Sequence, residues 1–383
     1  MSHVAQVIPG LDRIAGAEQQ VLLLAHGLKQ RGWRVSVVTL TGAGAGVARR
    51  LAVEGIDFVS LHMRNSLLDP RGCVRFHRWL SEAAPDVVHA HLPHAVWLAR
   101  WSRLFSAVPV QIDTLHTSAA GGPLRRLGYR LSSPLPDRVT AVSHAAARAH
   151  VAAGNVDRCK LAIVPNGVEP ERWSPDAQRR AAARRELGLT DEFLWLAAGR
   201  LEPVKDFPTL LRAMAMLPET ARLIIAGSGW QQAELTSLCA QLGLAGRVRF
   251  LGFVHDLAHW TQAADAFVLS SRWEGLPTAL IEASAAGLPA VATDVPGVRE
   301  VLGPGANEER LAPSGDPAAL AHAMHGLMQM PAAARCAIGA GARQFAAEQF
   351  SLDSILDSWE SFYRGLLRGC PGSCEQVRVA SGI

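Results

Sequence analysis

The sequence predicts an α/β protein of two consecutive doubly wound, parallel-sheet domains, and three observations carry the prediction. Its 383 residues exceed the roughly 250–300 at which a single hydrophobic core stops growing. Short apolar runs alternate with helix-patterned segments along nearly the whole chain, a rhythm that implies βαβ units joined by right-handed crossovers. The rhythm breaks once, near residues 165–185, and then restarts.

Residues 4–8 read as a buried strand, followed by a glycine-containing loop and the amphipathic run 18–29 that Gly32 closes. Residues 33–40, 86–90, 108–112 and 138–142 supply the other strands of the first half. The break holds Val164-Pro165-Asn166-Gly167-Val168, an Asn-Gly turn beside a proline, and then an Arg/Ala-rich helical stretch, 178–187. Residues 193–198, 222–226, 247–250, 266–269 and 290–292 read as strands of the second half. Residues 351–367 form a last amphipathic helix, and Phe350, Ile355, Trp359 and Phe362 on one face make it pack. The expected division is 1–170, 171–349 and 350–383, the last a helix crossing back to the first domain plus a frayed tail.

Apolar residues make up 49% of the chain and charged ones 19%, as in a soluble globular protein with a large core. The opening run 1–9 is short and closed by a turn, unlike a secretory leader. No segment approaches the ~20 apolar residues needed to span a bilayer. The six cysteines show no framework spacing; Cys370 and Cys374 read as free thiols on the tail, with a disulfide or a metal pair as the alternative. A reducing cytoplasm fits this usage. Residues 1–165 carry 19 Lys and Arg against 10 Asp and Glu, a net of +9, and the remainder carries −5. A basic first half suits an anionic partner, either an acidic membrane surface or a phosphorylated acceptor. Nucleic acid is not expected, because neither a regular basic helix nor an interleaved aromatic platform accompanies the charge. The expected location is the cytoplasm, with peripheral attachment at the inner face of the membrane.

In parallel α/β sheets ligands bind beyond the carboxyl ends of strands, where helix N-termini offer N–H groups. The first such loop runs from Gly10 to Ala15-Gly16-Ala17-Glu18. Its small residues admit a phosphate or sugar to the backbone, or serve only as a connection. The loop Gly199-Arg200-Leu201-Glu202-Pro203-Val204-Lys205-Asp206 places two cations ahead of a proline-started helix. Arginine offers a planar fork for phosphate oxygens and lysine a mobile point charge, so the pair reads as a diphosphate clamp against the alternative of two solvated cations. Gly227-Ser228-Gly229 is either a tight turn or room for a base or phosphate. In the stretch 270–283, Gly275 turns the chain, and Pro277 and Thr278 open a helix that Gly287 ends. The first N–H groups of that helix suit a phosphate, and Glu274 and Glu282 beside them suit sugar hydroxyls. The alternative is a mid-helix surface residue and a helix-start charge partner.

These motifs, in this order over nearly the full length, resemble the retaining glycosyltransferases of the two-Rossmann GT-B fold in the group 1 family. Glu274 and Glu282 match its E-x7-E motif, and Gly199-Arg200-Leu201 with Lys205-Asp206 matches its G-R-L-x-x-x-K-D donor loop. Val164-Pro165-Asn166-Gly167-Val168 matches its P-N-G-V turn. Asp86-Val87-Val88-His89-Ala90-His91 and Ile14-Ala15-Gly16-Ala17-Glu18 match N-terminal landmarks, with Ala15 where the usual motif has glycine. The resemblance implies two Rossmann-like domains facing a cleft and a nucleotide-diphosphate sugar donor, UDP preferred to GDP. It also implies a saccharide or lipid-linked acceptor in cell-surface polysaccharide or glycolipid synthesis. Arg200 and Lys205 are implied to hold the donor diphosphate, with Gly16, Gly227, Ser228, Gly275, Leu276 and Thr278 as further donor contacts. Glu282 is implied to bind the ribose, Glu274 the transferred sugar, and His116, in Thr114-Leu115-His116-Thr117, to face the reacting carbon; His116 and Glu274 are the expected catalytic residues.

A retaining transfer without an obvious covalent nucleophile implies a same-face displacement, with Arg200, Lys205 and the amides of 276–279 stabilising the leaving diphosphate. Two protein cations and the lack of an Asp-x-Asp motif imply no metal and no cofactor. His89, His91 and His94 have the spacing of one or two zinc ligands but nothing to complete a set; they read as packing residues or as donors to an acceptor hydroxyl. Gly42, Gly44 and Gly46 depart from Gly-x-Gly-x-x-Gly and read as a flexible loop. Residues 121–131 interleave Leu124, Leu127, Tyr129 and Leu131 with Arg125, Arg126 and Arg130. They suit an anionic membrane surface or a solvated loop beside the acceptor. The rival functions are a sugar-nucleotide epimerase on the same fold and a catalytically silent nucleotide-sugar-binding partner.

Overall fold

A computed structural model describes residues 1–12, 14–64, 69–119, 121–303 and 306–369; Cys370 and Cys374 lie outside the described residues. The chain forms two compact units, one of residues 1–167 with the helix Leu352–Leu367, the other of residues 168–351.

The first unit is built on a parallel sheet of β1 (His3–Ile8), β2 (Arg34–Thr39), β3 (Asp57–Ser60), β4 (Val87–His91), β5 (Val110–Leu115), β6 (Arg138–Ala141) and β7 (Leu161–Ile163). The second is built on β8 (Phe193–Ala198), β9 (Ala221–Ala226), β10 (Val248–Gly252), β11 (Ala266–Leu269), β12 (Ala290–Thr293) and β13 (Leu311–Ala312). Their spatial orders are β3-β2-β1-β4-β5-β6-β7 and β10-β9-β8-β11-β12-β13. Both sheets are therefore doubly wound, and the strand order reverses between β1 and β4 and between β8 and β11. Helices cover both faces, so central strands such as β1, buried at every position, read as mainly apolar runs, with Gln6 the polar exception inside β1. β3, β7 and β13, each at the end of a sheet, escape that pattern: β3 holds two apolar residues between Asp57 and Ser60, and β7 and β13 are three and two residues long.

Two further expectations need correction. β5 runs three residues beyond the predicted 108–112, which puts His116 directly past its carboxyl end. Gly44 is the N-cap of the helix Ala45–Val53, so Gly42, Gly44 and Gly46 are a turn and a helix start, not a flexible loop.

The last helix belongs to the core of the first unit. Ile355, Leu356, Trp359, Phe362 and Tyr363 are buried with Val21, Leu24, Leu28 and Trp33. Arg31 donates to Asp357 (2.5 Å) and Glu360 (3.1 Å), and Trp33 Nε1 donates to Glu360 (2.7 Å), tying the helix to Gly16–Gln30 and β2. Phe350 does not share that face. It ends the preceding helix, Ala332–Phe350, in the second unit, against Phe345.

One buried ion pair is invisible in the sequence pattern. Arg100 Nε donates to Asp113 Oδ2 at 2.7 Å with both side chains removed from solvent, and Arg100 also donates to Ser132 Oγ (2.9 Å). Burial pushes the Asp113 carboxyl up, and Arg100 opposes that shift. Removing one partner leaves an uncompensated buried charge. Arg100→Met should therefore destabilise the protein by about 3–5 kcal/mol, and Arg100→Met with Asp113→Leu should recover most of the loss. Thermal unfolding of the three proteins checks this; a double variant no more stable than Arg100→Met refutes it.

Candidate functional site

In the second unit the loops that follow β8 and β11 stand at the switch point, the neighbours between which strand order reverses. They carry Arg200 to Asp206 and Ser270 to Pro277. Backbone contacts zip the first of them to the loop after β9: Leu201 N donates to the Ser228 carbonyl (3.0 Å) and Gly199 N to that of Ala226 (3.0 Å). A Cβ on Gly227 would fall 1.9 Å from the Gly199 carbonyl oxygen. The glycine is thus required by close backbone approach. In the same way a Cβ on Gly297 would fall 2.3 Å from the Gly275 carbonyl oxygen, so the loop after β12 props the turn that carries Glu274.

The charged side chains of these loops meet. Lys205 Nζ donates to Glu274 Oε1 at 2.6 Å, and Ser271 Oγ donates to the same oxygen at 2.6 Å. Ser270 Oγ donates to the Lys205 carbonyl (2.8 Å), and Arg272 N to that of Val204 (2.8 Å). Asp206, in the left-handed region at φ 47°, is buried, forms an ion pair with Arg272 Nε (3.2 Å) and accepts from Thr209 Oγ1 (2.9 Å). Arg200 stands apart, more than half exposed and 3.3 Å from Glu202. Sequence reasoning missed the bracing by Asp206, Ser270, Ser271 and Arg272; the Lys-Asp and Ser-Ser-Arg strings were in view, but their contact is tertiary.

Leu276 is buried, and Thr278 opens the helix Thr278–Ala285, whose first N–H groups lack intrahelical acceptors. Glu282 lies one turn inside it. Its surroundings strip water from the carboxyl and push it up to about 7, with Arg172 opposing the shift. It is half-buried rather than fully solvated.

In the first unit, Gly16 is the first residue of the helix Gly16–Gln30 after β1, and Glu18 accepts from the Ala15 N–H (3.2 Å). Gln20 of the same helix clamps the Pro-Asn-Gly-Val turn, donating to the Gly167 carbonyl and accepting from its N–H, both at 2.8 Å. His116 contacts His91 (Nε2 to Nδ1, 3.0 Å), and His91 Nε2 contacts Gln6 Oε1 (2.7 Å). His89 contacts the Tyr363 hydroxyl (2.7 Å) and Thr114 Oγ1 (2.6 Å). His89 and His91 are thus buried packing and hydrogen-bonding residues, while His94 is exposed beside Trp97. No group of three His, Cys, Asp or Glu suited to a metal occurs among the described residues.

Segment 121–131 contains the helix Pro123–Ser132. Leu124 (84%), Leu127 (52%) and Leu131 (63%) are exposed. Contrary to the sequence expectation, Tyr129 is not available to an interface; it is buried under the Arg100 guanidinium, 5.2 Å from its ring centroid.

Residues 14–172 match the family model described as Glycosyltransferase Family 4, and residues 179–345 match that described as Glycosyl transferases group 1. The phosphatidyl-myo-inositol mannosyltransferase of Mycobacterium leprae is 30% identical over 355 residues, covering 89% of this chain and 91% of that one. The chain belongs to the group 1 glycosyltransferases. A D-inositol 3-phosphate glycosyltransferase of Streptomyces avermitilis is 33% identical over 309 residues, 74% of this chain and 66% of that relative's length. The crystal structure of Anabaena Alr3699/HepE in complex with UDP-glucose shares the fold, with a TM-score of 0.83 at 22% identity over 94% of this chain and 99% of that one. As a group 1 glycosyltransferase the protein has the two-domain Rossmann-like GT-B fold.

Within this glycosyltransferase the Glu282 shift has a consequence for stability. Its carboxyl titrates near 7 when folded against an ordinary 4.5, so the folded state holds a proton that the unfolded chain releases. Stability from this group is complete below the ordinary value and declines as pH rises toward and through about 7. Glu282→Gln, which cannot ionise, should therefore gain thermal stability relative to the parent as pH rises from about 5 to about 8. Parallel melting temperatures across that range would remove the assignment of a desolvated carboxyl.

Proposed function

We propose that the protein is a retaining hexosyltransferase that moves a sugar from a nucleoside diphosphate, UDP in preference to GDP, to a hydroxyl of a saccharide or lipid-linked acceptor. The observation that carries the reading is the Lys205–Glu274 pair at the β8/β11 switch point, beside the helix that opens at Thr278. The inositol-phosphate and phosphatidylinositol acceptors named for the two relatives support a phosphorylated acceptor, in keeping with the basic first half.

In this mechanism Lys205, Arg200 and the N–H groups of 276–279 stabilise negative charge on the departing diphosphate, electrostatic work that fixed donors perform without reorganising. Gly275 keeps that turn tight, and Gly16, Gly227 and Ser228 leave the backbone open to the donor. Glu282 takes the ribose hydroxyls. Glu274 takes hydroxyls of the transferred sugar and, before the donor arrives, neutralises Lys205. His116 of the first domain faces the reacting carbon. Leaving-group charge is thereby met by protein cations, so the reaction is proposed to need no metal. An epimerase on the same fold would need no acceptor, and a silent binding partner would turn nothing over.

A panel of nucleotide sugars, scored for slow hydrolysis and for transfer to inositol phosphate in the presence of a chelator, tests the proposal. One donor should turn over, with the anomeric configuration kept. Lys205→Ala should weaken nucleoside diphosphate binding about 10–100-fold by removing a charge-assisted bond while nucleoside binding barely changes. Glu274→Gln should lower turnover without weakening nucleoside diphosphate, because it frees Lys205. Equal weakening of diphosphate and nucleoside by Lys205→Ala contradicts the clamp, and inactivation by chelator contradicts the metal-free mechanism.

The first domain is proposed to meet its acceptor at an anionic membrane surface on the cytoplasmic side. No helix among the described residues is long and apolar enough to cross a membrane. The helix Pro123–Ser132 offers exposed Leu124, Leu127 and Leu131 with Arg125, Arg126 and Arg130 among them. Each cation near an acidic leaflet contributes about 1 kcal/mol, so three give reversible attachment. In liposome flotation, binding should require acidic lipid, fall with salt, and drop when the three arginines become Ser. Binding indifferent to lipid charge leaves only a solvated basic loop.

A further inference from the structure

Polar side chains of β1, β4, β5 and β6, together with Tyr363 and with His116 just past β5, form one continuous hydrogen-bonded line, and a backbone carbonyl at one end gives it a direction. A backbone carbonyl can only accept. Thr140 Oγ1 stands 3.2 Å from the Asp113 carbonyl, to which it can only donate, and 2.7 Å from Thr114 Oγ1, where either hydroxyl can be the donor; with the Thr140 proton on the carbonyl, Thr140 accepts from Thr114. Thr114, donating there, accepts from His89 Nε2 (2.6 Å). A neutral His89 then has no proton on Nδ1, which accepts from the Tyr363 hydroxyl (2.7 Å). The Tyr363 oxygen accepts from Gln6 Nε2 (3.3 Å), Gln6 Oε1 from His91 Nε2 (2.7 Å), and His91 Nδ1 from His116 Nε2 (3.0 Å). Burial keeps the three imidazoles neutral: it lowers His116 to about 4 and takes His89 and His91 well below the ordinary histidine value. Burial also pushes the Tyr363 phenol far up, so the hydroxyl keeps its proton.

The line ends on an open acceptor. His116 Nδ1 is buried and has no hydrogen-bond partner among the described residues. His116 lines a cavity of about 30 Å³ with Gln20, His91 and Thr114, room for an ordered hydroxyl or water.

We propose that this relay locks His116 as the Nε2–H tautomer and presents Nδ1 as an acceptor for a hydroxyl of a sugar substrate, with Gln6, His91 and Tyr363 as positioning residues. The hydroxyl half rests on the glycosyl-transfer reading above; the tautomer half stands without it.

NMR of the full chain with ¹⁵N-labelled histidine reads the tautomer directly. His116 and His91 should each carry their proton on Nε2 alone, and a coupling across the hydrogen bond should join His116 Nε2–H to His91 Nδ1. A proton on Nδ1 of either ring, or averaging between the two nitrogens, overturns the lock. Tyr363→Phe keeps the packed ring and removes the hydroxyl that Gln6 and His89 share. It should bring averaging to His91 and His116, leave His150, which lies outside the line, unchanged, and lower turnover with the donor KM retained. A variant still fully locked overturns the relay. Averaging with unchanged turnover overturns the assignment of Nδ1 to a substrate hydroxyl. Thr140→Val, which removes the carbonyl anchor, should also bring averaging and provides the same reading if Tyr363→Phe does not fold.

Discussion

Both sheets are wholly parallel, and that constraint organises everything else. Parallel neighbours cannot be joined by tight hairpins, so each connection crosses the sheet through a helix, and all strands of a sheet end at one edge. Where strand order reverses, successive loops leave in opposite directions and open a space that close-packed secondary structure cannot fill. In the second domain the loops at that point carry Lys205 and Glu274, and glycines hold them there by letting backbone meet backbone. In the first domain Gly16 follows one of the switch strands, and His116 follows the strand beside the other.

The charges at the β8/β11 switch point satisfy one another. Lys205 and Glu274 are both largely enclosed, and an isolated charge in such a place is costly. Their pairing at 2.6 Å removes the cost, and Ser271 steadies the carboxylate. In the proposed reaction a diphosphate would offer Lys205 a second anion and a sugar hydroxyl would offer Glu274 a donor, so each partner of the pair could be exchanged for a contact to substrate. Arg200, already in solvent, loses little by waiting.

Much of this was legible in the sequence, and the limits follow from where the information lies. Central strands announce themselves because burial on both faces demands continuous apolar residues, and the motif loops announce themselves because helix starts and close approaches restrict residue types. β3, β7 and β13 stayed hidden because each is too brief or too interrupted to stand out: two apolar residues between Asp57 and Ser60, then strands of three and two residues. Arg200, Lys205, Glu274 and Glu282 were found by motif, yet the pairing of Lys205 with Glu274 spans 69 positions and leaves no local trace. Asp206 shows the same limit from another side. Its left-handed backbone and two side-chain partners make it a brace between loops, whereas in the sequence it is only the last letter of a motif.

The last helix carries this furthest, because its sequence shows an apolar stripe and nothing of its polar task. Trp359 and Phe362 secure it in the core, and that packing delivers the Tyr363 hydroxyl to Gln6 of β1 and His89 of β4. Buried polar groups are tolerated only when partnered, since each one left open costs its full desolvation. Gln6 Nε2 and His89 Nδ1 both find their partner in the oxygen that this helix brings. A residue far along the chain thus completes the polar core of the first domain, and the hydrophobic stripe that a sequence reading takes for mere packing is what sets the position of a buried hydroxyl.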